Sequence, residues 1–163
     1  MNGSTMLPEF DQEMANTRKA LERVPEGELT FRPHEKSWTI RELAGHVAQV
    51  PGWLTVTLQT SELDLSHPFP QPKLDTTADI LAAFDAALAD ARAALASASH
   101  DDLMATWTMK MGNDVLFSMP RATVLRSFVM NHMIHHRGQL TVYLRLCGAS
   151  VPALYGPSAD EEN

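Results

Sequence analysis

Apolar residues Leu7, Phe10, Met14, Leu21 and Val24 recur at three- and four-residue steps with Thr17 in the gap. That period predicts an amphipathic helix, and Pro25 ends it. The stretch from Glu26 to Lys36 has no helical period and contains Gly27 and Pro33. Thr39 and Glu42 are then spaced as a capping box, so a second helix is expected to start there. Its stripe runs Ile40, Leu43, Val47, Val50, Leu54 and Leu58, and His46 shares that face. Pro51-Gly52 falls inside the pattern and predicts a kink or a locally broken turn just after the histidine.

The segment Ser66 to Pro72 carries prolines at 68, 70 and 72 and reads as an extended, polyproline-like crossover. Asp75-Thr-Thr caps a third, alanine-rich helix reaching about Ser97, with Ile80, Leu81, Phe84, Leu88, Ala91 and Leu95 as its buried stripe. Trp107, Met109 and Met111 alternate with Thr106, Thr108 and Lys110, which permits a small hairpin around Gly112-Asn-Asp. The longest helix is expected from Pro120 to Cys147, with Gly148 as its stop. Its apolar face holds Val124, Leu125, Phe128, Val129, Met133, Leu140, Tyr143 and Leu144. After it, Val151, Leu154 and Tyr155 should pack an irregular tail. The pattern therefore predicts an all-α, four-helix bundle with a long crossover connection, allowing the small hairpin between helices three and four.

A chain of 163 residues with 44% apolar content suits one domain spanning residues 1–163. A formal charge of −7 would repel a phosphate backbone, so no nucleic-acid partner is expected. There is no apolar run long enough for a bilayer and no signal-like start, so the expectation is no membrane partner and a cytoplasmic location. A single cysteine, Cys147, excludes an internal disulfide and a thiolate-cluster zinc site. It reads as a buried apolar residue. Any metal must be held by nitrogen and oxygen.

His132 and His136 are four residues apart on the last helix and leave one face, as paired ligands of one ion do. Seven histidines produce some pair at that spacing by chance about one time in four, so spacing alone is weak. Burying an unpaired imidazole in an apolar stripe is costly, however. His46 supplies a third inward nitrogen, the number an open metal site needs. Spacing leaves two readings open: a metal on His46, His132 and His136, or satisfied core histidines. His135 points about 100° away from His136, and His34, His67 and His100 fall in expected connectors, so none of these four is a candidate ligand. Arg137 and Gln139 read as residues able to anchor a substrate carboxylate or orient a ligand, surface salt bridging accounts equally well for the arginine, and only Gln139 lies on the inward side with His136. Glu42 is four residues before His46, where capping is its simplest role.

The blocks Ser37-Trp-Thr-Ile-Arg-Glu-Leu-Ala-Gly-His46 and Asn131-His-Met-Ile-His-His-Arg-Gly-Gln-Leu140 resemble the two signature blocks of the DinB/YfiT-like superfamily. The resemblance spans most of the chain and includes the Tyr143-Leu-Arg-Leu-Cys-Gly148 ending. It implies a four-helix bundle with a long crossover, a homodimer, and a divalent metal on His46, His132 and His136. The superfamily is similar to thiol-dependent transferases and maleylpyruvate isomerases, and many members have no assigned activity.

The first expectation is therefore a thiol-dependent S-transferase acting on a small-molecule substrate, with a low-molecular-weight thiol as cosubstrate and zinc, nickel or iron as the ion. No catalytic residue beyond the ligands is assigned. The rival readings are a metal-dependent hydrolase and a non-catalytic metal-binding stress-response protein. A ferritin-like di-iron oxidase is disfavoured because the chain has no Glu-x-x-His motif.

Overall fold

The computed structural model describes residues 2–67 and 72–162. Helix α1 (Leu7–Glu22) starts with Pro8 in its first turn, where a missing backbone N–H costs nothing. Helix α2 (Ile40–Gln59) begins at the expected capping box: Glu42 N–H donates to Thr39 Oγ1, and the Glu42 carboxylate accepts from Thr39 N–H at 2.7 Å. Pro51 lies buried inside α2, and the helix runs through it without a break. The proline ring withholds one i→i−4 bond, the one the Val47 carbonyl would accept. Helix α3 (Thr77–Ser97) is capped by a second such box, Thr76 with Asp79.

The all-α expectation is overturned, because the protein is mixed α/β. A three-stranded sheet joins the helices: β1 (Glu62–Asp64) pairs parallel to β2 (Thr106–Met111), which pairs antiparallel to β3 (Asp114–Pro120). The β2–β3 hairpin is the one the alternation permits, turning at Gly112 with φ +60°. The hairpin gains its third strand from a three-residue segment just before the crossover. Asp64 locks that strand on: its carboxylate accepts the Gly112 and Ser66 N–H groups, both at 2.9 Å, and those bonds hold its pKa down at about 2.

A further helix was not anticipated either. Helix α4 (His100–Met104) is capped by Ser99 and Asp102, so His100 belongs to a short helix and not to a connector. The final helical run comprises α5 (Arg121–Thr123), a π-helical segment Val124–Met130 and α6 (Asn131–Leu146). Gly148, φ +77°, ends it: Gly148 N–H donates to Arg145 O and Ala149 N–H to Leu144 O, the paired bonds of a Schellman cap. The expected crossover, Ser66 to Pro72, lies partly outside the described residues at 68–71.

The main core joins α1, α2, α3 and α6 through Phe10, Leu21, Ile40, Val47, Leu54, Phe84, Leu95, Met133 and Leu140. A second cluster, Trp107, Met109 and Val124, seats the sheet against the π segment and the far half of α2, where Trp53 and Phe128 pack on it. The sheet thus walls the volume between α2 and the π segment. In the tail Ala153 is buried but Tyr155 is 65% exposed, so the tail packs less deeply than its apolar residues suggest. Cys147 is only partly buried.

Candidate metal centre

His46 lies one and a half turns into α2, beside Gly45. A Cβ at Gly45 would come within 3.1 Å of Leu74 Cδ1, so glycine leaves room for the Leu74 side chain to pack on this turn of α2. On the facing helix, Phe128, His132 and His136 follow at four-residue steps and share one side. The π segment ends immediately before this pair, with Asn131 N–H donating to Arg126 O, five residues back. A π turn advances the helix surface differently from an α turn, and such insertions recur at functional sites.

The three expected ligands come together. His46 Nε2 and His132 Nε2 approach to 3.1 Å, and one nitrogen from each of His46, His132 and His136 lies within 4.8 Å of the others. A tetrahedral ion with bonds of 2.0–2.1 Å separates its nitrogens by about 3.4 Å, so the cluster needs only small movements to fit. Burial, and then the neighbouring rings of His136 and His132, push the His46 imidazole down to about 4. Burial likewise lowers His132 and His136. All three are therefore neutral at pH 7, the form that ligates.

The outer nitrogens are held as well. His136 Nδ1–H donates to Gln139 Oε1 at 2.7 Å, which directs its Nε2 inward, and His132 hydrogen-bonds the Phe128 backbone. Gln139→Ala is expected to weaken divalent-metal affinity by roughly 10–100-fold without loss of helix, as read by competition with a colorimetric chelator. His135 is exposed and its ring sits 5.0 Å from that of His136, outside the triad. Glu42 is committed to the Thr39 cap, and the two hydrogen bonds from Thr39 keep its pKa low, so it is not poised as a base.

Arg137 departs from every sequence reading of it. Its side chain is 1% exposed and bonds Glu13 Oε2 at 2.7 Å, the Glu13 carbonyl at 2.9 Å and Thr17 Oγ1 at 3.2 Å, and it also meets Tyr155 Oη. It faces α1 and the tail, away from the triad, and neither anchors a substrate nor decorates the surface.

The aromatic frame was not identified from sequence. Trp38, 46% exposed, lies edge-on to His46 at 5.2 Å and stacks on His136 at 5.7 Å. Trp53 stacks on Phe128 at 5.2 Å, and both rings meet His132 edge-on, at 5.9 and 5.6 Å. The signal was present: Trp53 follows His46 by seven residues and Phe128 precedes His132 by four, both same-face spacings. Beside His46 opens a cleft of about 500 Å³ bordered by Trp38, Arg41, Glu42, Gln49, Trp53 and Lys73.

A mixed α/β fold carrying three convergent, neutral histidines, two of them braced at their outer nitrogens, has the form of a protein that can hold one metal ion. The chain belongs to the DinB family, whose model matches residues 1–163. It is similar to the uncharacterized protein YrdA of Bacillus subtilis (strain 168), with 30% identity over 159 residues, covering 95% of this chain and 89% of that protein. Two solved structures share the fold. A DinB-like protein from Bacillus cereus ATCC 10987 has a TM-score of 0.72 at 24% identity, covering 92% of this chain and 95% of its own. The DinB-like protein YjoA from Bacillus subtilis has a TM-score of 0.71 at 17% identity, covering 91% and 95%. Among the described residues no helix is long and apolar enough to cross a membrane.

Proposed function

We propose that the protein is a metal-dependent S-transferase that joins a low-molecular-weight thiol to an electrophilic small molecule. The carrying observation is the convergence of three neutral imidazole nitrogens, one of them on His46 at the edge of an open cleft. An all-nitrogen donor set suits zinc, nickel or iron over calcium or magnesium. When bound, such an ion keeps its double charge and an open position, and so favours the deprotonated form of a thiol placed there. His46, His132 and His136 would hold it, with Gln139 and the Phe128 carbonyl fixing two of the rings. Trp38 screens one side of the triad from bulk water. Arg41 and Lys73 border the cleft and share the single carboxylate of Asp75, at 3.5 and 2.8 Å, so both retain donors for an anionic group on the thiol.

In the reaction the thiol proton passes to water, a carbon–sulfur bond forms at the electrophilic carbon, and the leaving group departs with its electron pair. The test is thiol consumption with 1-chloro-2,4-dinitrobenzene across several bacterial thiols, using protein reconstituted separately with zinc, nickel and iron. Metal-dependent loss of thiol with matching chloride release is the expected result. Turnover of ester substrates without thiol consumption would replace transfer by hydrolysis. Stoichiometric metal with neither activity would leave a non-catalytic metal protein.

A further inference from the structure

Behind Trp53, on the side away from the polar cleft, lies a second cavity of about 460 Å³. Among the described residues its wall is Gly52, Trp53, Val56, Leu63, Leu65, Ala83, Ala87, Trp107 and Phe128, with Gln49, Thr57 and Pro72 at its margins. Sequence explains why it is open. Where α2 and α3 face one another the residues are Gly52, Ala83 and Ala87, and a Cβ on Gly52 would lie only 4.0 Å from that of Ala87. Small side chains bring the backbones close there and leave the adjoining volume unfilled, while β1, β2 and the π segment close it with large apolar groups. Protein interiors rarely keep voids much larger than a water, whereas ligand pockets run from about 300 to 1,000 Å³.

Each polar side chain at this wall already donates a hydrogen bond elsewhere. Thr57 Oγ1–H donates to Trp53 O at 2.8 Å, Trp107 Nε1–H to Thr60 Oγ1 at 3.0 Å, and Gln49 Nε2–H to Gly45 O at 3.0 Å. No charged side chain borders the cavity among the described residues, so an ion placed there would be desolvated without compensation. Its rim, however, is shared with the polar cleft through Gln49, Trp53 and Pro72, and the stacked Trp53 and Phe128 rings that line it also touch His132.

We infer that this cavity is the subsite for the uncharged, apolar body of the substrate, an aromatic ring system or a medium-length alkyl group, whose reactive end passes Gln49 and Trp53 to reach the histidine triad. The assignment rests on the metal-centre reading only for the position of the reactive end. The closing test is fluorescence titration with N-phenyl-1-naphthylamine, an uncharged probe that brightens on leaving water. The parent should bind one equivalent saturably. Ala87→Leu and Ala83→Leu, which extend three carbons into the space, should weaken binding at least tenfold at unchanged melting temperature, and Ala86→Leu on the exposed side of α3 should not. Cobalt(II) loaded on the parent should quench the bound probe, and the His132→Ala/His136→Ala protein should show no such quenching. No saturable binding, or equal affinity in all four proteins, overturns the inference. Metal content by elemental mass spectrometry keeps the two readings apart: metal without probe binding sinks the subsite alone, and probe binding without metal sinks the metal centre alone.

Discussion

Replacing His132 and His136 together by alanine is expected to reduce bound divalent metal from near one equivalent to none while leaving the far-ultraviolet helical signal in place. Two of three donors disappear, and one imidazole on α2 cannot hold an ion that needs three protein ligands. The helix persists because its packing rests on Met133, Leu140 and Leu144 and not on the histidines. The same variant carries a pH signature. In the metal-free protein the triad imidazoles titrate below their ordinary value near 6.5, His46 at about 4. The unfolded chain therefore takes up protons that the folded chain refuses between pH 6.5 and 4, and stability falls as pH drops through that window. Above pH 6.5 these groups contribute no slope. The double variant should show a shallower loss over the same interval. Elemental mass spectrometry on tag-free protein and urea titrations at pH 7.5, 6 and 5 check both points. Retention of a full equivalent of metal by the variant would remove the triad.

Helices α1, α2, α3 and α6 and the triad were legible because they rest on short-range periodicity, whereas α4, five residues long, shows no period. His46 falls on the stripe Leu43–Val47–Val50, His136 follows His132 by one turn, and the caps at Thr39 and Gly148 are local chemistry. The sheet was legible only as far as its hairpin. Strand β1 has three residues, too few to display a period, and it pairs with Thr108–Lys110, which lies 46 positions away along the chain and leaves no local trace. The π segment was equally hidden, since Val124, Leu125 and Val129 satisfy an α-helical stripe just as well. In α6 the expected core positions Met133, Leu140 and Leu144 are buried, and the unexpected member of their line is Arg137. His132 and His136 form a neighbouring, half-buried line with Phe128. A charged residue in the true core stripe reads as a surface position until its partners on α1 are seen.

That arginine is where the largest stability effect is expected. Arg137→Met should cost about 3–5 kcal/mol, and at roughly 2–4 °C per kcal/mol for a chain of this length the melting temperature should fall by on the order of 10 °C. The guanidinium itself contributes little net stability, because burying it offsets most of its attraction to Glu13. The loss comes from what remains behind: the Glu13 carboxylate, on a side chain 9% exposed and stripped of its counter-charge, and the Glu13 carbonyl and Thr17 hydroxyl without their donor. Tyr155 Oη still donates to Glu13 at 2.6 Å, so the carboxylate keeps one hydrogen bond but no positive partner. Glu13→Gln/Arg137→Met should then melt above Arg137→Met alone, since neutralising the carboxylate removes the uncompensated charge. Differential scanning calorimetry of the two proteins decides it. A single variant within 2 °C of the parent, or a double variant no better than the single, would show that the pair is hydrated and not buried. Because Arg137 adjoins His136 but faces α1, metal content measured well below the lowered melting temperature should stay near one equivalent. That separates its role, holding α6 against α1 and the tail, from the role of the histidines one residue away.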